Sequence, residues 1–183
     1  YKKNDGELNS TLSNMFADAT YEMSNPVFNK MSGKNIDIVL LNNGGIRSII
    51  SKGNISEKTA FELMPFENSI VVLELNGLSI IKMIDYLRKV KLQHPISGLQ
   101  ITLNNDYSVN EVKINGVSIE NEKKYYVATT DYLLEGGDKM YFLAETTKTT
   151  DINYKMRDIL IDYFKQYDTL KLKSDNRFIR INE

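Results

Sequence analysis

Residues 36–47 read Ile36-Asp37-Ile38-Val39-Leu40-Leu41-Asn42-Asn43-Gly44-Gly45-Ile46-Arg47. The run from Ile36 to Leu41 is short and almost continuously apolar, which predicts a buried strand. It leads straight into Asn42-Asn43-Gly44-Gly45, where paired glycines give a permissive backbone that can pass close to a ligand. Arg47 then offers a planar fork of donors suited to phosphate or ribose oxygens. Asn42 can present both a donor and an acceptor to a base edge. Taken alone, the pattern also fits a tight turn beside a surface arginine.

Outward from this stretch, helices and strands interleave. Before it, Leu12, Met15, Phe16, Ala19 and Met23 recur at helical spacing and predict an amphipathic helix over residues 8–23. After it, a short helix is expected from Ser56, a plausible N-cap, to Met64. Ile70 to Leu75 reads as a strand ending at the Asn76-Gly77 turn signal. Leu78 to Val90 is helical, with Ile81, Ile84 and Leu87 on one side. Leu99–Leu103 and Val109–Ile114 form a β-hairpin around Asn104-Asn105-Asp106. Tyr125 to Thr129 is another strand. A last helix starts near Asp151 and carries Ile152, Met156, Ile159, Leu160, Tyr163 and Phe164 inward, and Phe178 to Ile181 closes the chain. The expected fold is α+β, one domain with a mixed sheet packed by helices.

Composition narrows the function. The chain has 183 residues, 42% hydrophobic, with a formal net charge of −1. That suits a single core and lacks the basic footprint of a nucleic-acid binder. Lys171, Lys173, Arg177 and Arg180 read as a solvated face. There is no cysteine, which removes disulfides, thiolate metal sites and cysteine nucleophiles. No apolar run approaches the ~20 residues needed to cross a bilayer. The one histidine, His94, cannot build a two-metal hydrolytic centre and reads as a loop residue. The chain opens at Tyr1, so a signal peptide or a whole preceding domain is expected upstream. Asn9 and Asn54 head Asn-x-Ser/Thr triplets that chance explains as well as glycosylation does.

Two further segments are suited to a ligand. In Thr130-Asp131-Tyr132-Leu133-Leu134-Glu135-Gly136-Gly137-Asp138, Asp138 stands just past Gly136 and Gly137, where a carboxylate can accept two hydroxyls of a ribose diol. An Asx-type turn residue is the alternative, and Tyr132 fits a core aromatic equally. In Met64-Pro65-Phe66-Glu67-Asn68, proline cannot continue the helix, so the Phe66 ring falls in a loop and can face a pocket. A base stacked on an aromatic ring gains on the order of 1–3 kcal/mol per contact.

Read together with Ser97-Gly98-Leu99-Gln100 and the terminal Asn176-Arg177-Phe178-Ile179-Arg180-Ile181, these motifs resemble the C-terminal domain of the 5′-nucleotidase family, from about Leu12 to Ile181. The resemblance implies a nucleoside-binding domain that works with a metallophosphoesterase domain, attached or separate, holding a pair of divalent metal ions. This chain then supplies no metal ligand, no catalytic residue and no cofactor site of its own. Its ligand is a nucleoside or nucleoside monophosphate. Phe66 and Tyr132 stack the base from opposite faces, with Tyr132 where the family often has phenylalanine. Asp138 holds the ribose hydroxyls, and Arg47 contacts ribose or phosphate oxygens. Asn42 lies near base or ribose, and Asn68 meets the base edge. The family's usual setting implies an extracytoplasmic location. One departure stands out: the family's arginine before the first helix matches a position near Gly6, with only Lys2 and Lys3 close by. Either a lysine substitutes or nucleotide binding is weakened. The competing functions are a binding module without a catalytic partner and a carboxylate hydrolase built on Asp131 and Asp138.

Overall fold

The computed structural model describes residues 1–181. Helix α1 (Thr11–Ser32) is capped by Ser10, whose side chain accepts the Ser13 N–H, and closes at Gly33 with φ 68°. The expected end near Met23 is overrun, with Pro26 inside the helix. The extra turns carry Phe28, buried against Tyr126 with ring centroids 5.5 Å apart, and that packing holds them in place.

Strand β1 (Ile38–Leu40) follows and feeds a single 3₁₀ turn, Asn43–Gly45. In α2 (Glu57–Leu63), Thr59 reaches back to accept the Ser56 N–H at 3.2 Å. Then come β2 (Ser69–Asn76), α3 (Gly77–Val90), β3 (Ile96–Ser97), β4 (Leu99–Leu103), β5 (Val109–Ile114) and β6 (Val117–Ser118). The chain continues through β7 (Lys124–Thr130), α4 (Asp131–Leu134), β8 (Lys148–Lys155), α5 (Met156–Lys165) and β9 (Phe178–Arg180).

The mixed sheet is in fact two mixed sheets. One has five strands in the order β3-β1-β7-β2-β8, and the other has four in the order β6-β5-β4-β9. Parallel β1–β7 and β4–β9 pairs are embedded among antiparallel ones. The five-stranded sheet is covered on both sides. Ile38, Leu40, Leu73, Leu75 and Val127 face α3 and the smaller sheet; Val39, Leu41, Ile70, Val72 and Ala128 face α1, α2 and α5. Two-sided burial is why residues 36–41 carry no polar alternation.

Three further expectations are corrected. Residues 148–155 form strand β8, so the last helix begins at Met156 rather than near Asp151. Ile152 and Met156 stand four apart and imitate a helical face, yet Ile152 belongs to a strand that covers the edge of β2. In α3 the inward face is Ile80, Met83, Ile84 and Leu87, while Ile81 is 45% exposed. Finally, Arg177 and Arg180 do not join Lys171 and Lys173 on a solvated face. Arg177 forks onto Asp18 at 2.7 and 2.9 Å and donates to the Ile96 carbonyl at 2.8 Å, tying the terminal segment to α1. Arg180 pairs with Glu7 at 2.8 Å. Asn9 is also interior, donating to the carbonyls of Asp175 and Phe178.

Candidate functional site

Strand direction brings the three ligand-suited segments to one end of the larger sheet. β1 and β7 run parallel with Val39 opposite Ala128, so the chain leaves both strands on the same side. β2 runs the other way with Ile70 opposite Thr130, so it enters from that side. Residues 42–47, 66–69 and 131–138 therefore share one rim. Ser97-Gly98-Leu99-Gln100 does not: Ser97 pairs with Val39, and a Cβ on Gly98 would lie 2.0 Å from the Asp37 carbonyl at the strand's other end. Gly98, at φ 74°, is needed there for close packing of the main chain.

The first glycine loop is folded around its own asparagine. Asn42 is 8% exposed, and a Cβ on Gly45 would fall 3.0 Å from its Oδ1. Gly44 and Gly45 thus make room for the Asn42 amide as much as for any ligand. Arg47 is exposed, donates to the Gly44 carbonyl at 3.3 Å and lies over the Phe66 ring, 5.8 Å from its centroid.

Phe66 is 41% exposed at the rim, in a segment pinned from behind. Its neighbour Glu67 is ion-paired with both Lys155 and Arg157, which together hold its carboxyl at a pKa of about 2. The Asn68 carbonyl accepts the Met156 N–H at 2.9 Å. Arg157, nearly buried, also stacks on Phe61 at 4.2 Å. This clamp has no signature in the local sequence, because its cations come from the end of β8 and the start of α5.

Tyr132 is 42% exposed and sits on the second glycine pair, where a Cβ on Gly137 would lie 2.4 Å from its ring. Gly136, at φ 95°, takes the left-handed turn that reverses the chain, and Asp138 follows at φ 50°. The Tyr132 hydroxyl donates to Asp138 Oδ1 at 3.1 Å, which raises the tyrosine's pKa. The Tyr86 hydroxyl donates to the Asp138 carbonyl at 2.8 Å. Asp131 is occupied otherwise: its two oxygens accept the N–H groups of Ser69 at 3.1 Å and Tyr132 at 2.7 Å. It staples β2 to β7 and is a poor candidate for a general base.

Near the chain start, a Cβ on Gly6 would fall 2.2 Å from the Asn9 carbonyl, so no longer side chain fits that bend. Lys3 instead reaches the glycine loop, donating to the Ile46 carbonyl at 2.8 Å. His94, expected as an ordinary loop residue, is 2% exposed, and its ring stands 5.9 Å from that of Tyr86. Its burial behind the rim was invisible in the sequence, as was the Tyr86 contact. Among the described residues, no three His, Cys, Asp or Glu side chains are grouped to hold a metal ion. Among the described residues, no helix is long and apolar enough to cross a membrane.

A family model described as "5'-nucleotidase, C-terminal domain" matches residues 2–145. The chain belongs to this family. All six candidate contact residues of the 5′-nucleotidase C-terminal domain lie within the matched span. Similar proteins include Protein UshA of Escherichia coli (strain K12), 32% identical over 115 residues, covering 60% of this chain and 20% of the relative. Cell wall protein Lmo0130 of Listeria monocytogenes is 30% identical over 171 residues, covering 85% and 21%. The crystal structure of a 5′-nucleotidase precursor from Thermus thermophilus aligns with a TM-score of 0.81 at 25% identity, over 96% of this chain and 36% of that one. The chain thus spans about a fifth of the length of the curated relatives it matches.

Proposed function

We propose that this domain recognises a nucleoside or nucleoside monophosphate while a metallophosphoesterase domain outside it, in the same chain or a separate one, hydrolyses the phosphate ester with a pair of divalent metal ions. The convergence of residues 42–47, 66–69 and 131–138 on one rim carries the reading. In it, Phe66 and Tyr132 take the base between them, Asp138 accepts the ribose hydroxyls and Arg47 leaves Phe66 to meet ribose or phosphate oxygens. Asn42 lies near the base or ribose, and Asn68 meets the base edge. The domain contributes binding energy and orientation, effects that can lower a barrier by several kcal/mol. It supplies no nucleophile. An extracytoplasmic setting is part of the proposal and draws support from the relative named a cell wall protein.

The test is calorimetric titration of the chain with adenosine and AMP, alongside an assay for phosphate release with added divalent metal. Weak binding without phosphate release is expected. Release at a useful rate from the pure chain overturns the division of labour, and no binding at millimolar ligand overturns the pocket. A second reading, a nucleoside-binding module with no catalytic partner, is favoured by one observation. No longer side chain fits at Gly6, and Lys3 is engaged by loop carbonyls. Comparable affinities for adenosine and AMP would support it.

A further inference from the structure

We infer that the Tyr132 hydroxyl is a positioning group that presets the Asp138 carboxylate for a sugar cis-diol, so that one side chain serves both halves of a nucleoside. The inference rests on the pocket proposed above. The usual aromatic at a stacking position needs only its ring; here the ring carries an O–H that donates to Asp138 Oδ1 at 3.1 Å.

Three features fix this donor and its acceptor. The Tyr132 ring lies against Gly137, where even a Cβ would come within 2.4 Å. The Asp138 main chain is held at φ 50°, and its carbonyl accepts the Tyr86 hydroxyl at 2.8 Å. Tyr86 in turn packs on Phe142, with ring centroids 5.6 Å apart. The carboxylate is therefore oriented from a rigid platform although it stands at an exposed loop tip.

A carboxylate has about four lone-pair positions, and Tyr132 uses one. Oδ2 and the remaining lone pair of Oδ1 stay available for two hydroxyl donors. Holding a side chain in its bound orientation before the ligand arrives removes part of the ordering cost of binding. The gain applies only to ligands that use Asp138. The favoured class is ribonucleosides with a free 2′,3′-diol; a phosphate on either hydroxyl would meet a carboxylate with no donor to offer.

The experiment measures adenosine, 2′,3′-dideoxyadenosine and adenine binding by calorimetry on the 183-residue chain. It compares wild type, Tyr132→Phe, Asp138→Ala and the double variant. Tyr132→Phe keeps the ring, and its adenosine affinity is expected to fall roughly three- to tenfold while the other two ligands hold theirs. In the Asp138→Ala background the same change should have no effect on adenosine, because the hydroxyl has lost the group it positions. An equal loss for all three ligands, an unchanged adenosine affinity, or a full effect persisting without Asp138 each overturns the inference alone. Failure of wild type to bind any of them overturns the pocket, and this inference falls with it.

Discussion

His94 Nδ1 accepts the main-chain N–H of Asn43 at 3.2 Å, joining the segment before β3 to the first glycine loop. The Leu41 carbonyl lies 3.3 Å from the same nitrogen, but a neutral imidazole nitrogen cannot donate and accept at once. With Nδ1 accepting from Asn43, the proton of the neutral ring sits on Nε2, which is buried with no hydrogen-bond partner among the described residues. Asn43 also sends its side-chain amide to the Gln93 carbonyl at 2.9 Å, so the loop is fastened twice to the same stretch.

Burial pushes the His94 pKa below its ordinary value, against smaller opposing effects of the Leu41 carbonyl and the Asp138 charge. In the window between the lowered folded value and about 6.5, the unfolded chain binds more protons than the native one. The stability that neutral His94 provides is complete above that window and declines as pH falls through it. Unfolding by urea at several pH values should show this slope. His94→Phe should remove the slope and cost roughly 1–3 kcal/mol at pH 8 by orphaning the Asn43 N–H.

Phe66→Ala should weaken adenosine binding by about 5- to 150-fold, the loss of one stacking contact worth roughly 1–3 kcal/mol. Because the ring is exposed, the melting temperature should stay close to wild type. Calorimetry and a thermal melt on the same preparation check both; an unchanged affinity would remove Phe66 from the pocket.

Gly98→Ala should destabilise the fold by roughly 1–3 kcal/mol, since the new methyl meets the Asp37 carbonyl and the residue keeps a positive φ. Affinity of the folded fraction for adenosine should not change, because Gly98 lies at the far end of the strands from the rim. A selective loss of affinity would bring the Ser97–Gln100 segment into the site.

The Glu67 clamp gives an acid-sensitive anchor behind Phe66. With its pKa lowered to about 2 by Lys155 and Arg157, Glu67 contributes stability that is present above the ordinary carboxylate range and lost as pH falls toward 2. Glu67→Gln should flatten the acid limb of a plot of melting temperature against pH. An acid limb identical to wild type would show that the pairing contributes nothing measurable.

Local pattern made some elements legible, and distance in sequence hid the rest. The apolar run ending in Asn42-Asn43-Gly44-Gly45, the Ser56 start of α2 and the Asn104-Asn105-Asp106 hairpin all announce themselves within a few residues. β8 did not, because Ile152 and Met156 fall at helical spacing although a strand ends between them. The outward turn of Ile81 was missed because Ile80, Met83, Ile84 and Leu87 define the buried stripe better. Arg177 pairs with Asp18, 159 positions away, and no local reading could find that partner. At the candidate site the residue types came from motif resemblance. The Asp131 staple, the Glu67 clamp and the Tyr132–Asp138 bond became visible only once strand direction was known.

β7 stands in the middle of the five-stranded sheet, with β1 on one side and β2 on the other. All three rim segments hang from these strands, in the best-protected part of the hydrogen-bonded ladder. Amides of Thr129 and Thr130 should be among the slowest to exchange with solvent. Binding capacity on heating should then vanish in a single step with the sheet itself, leaving no partly competent species along the way.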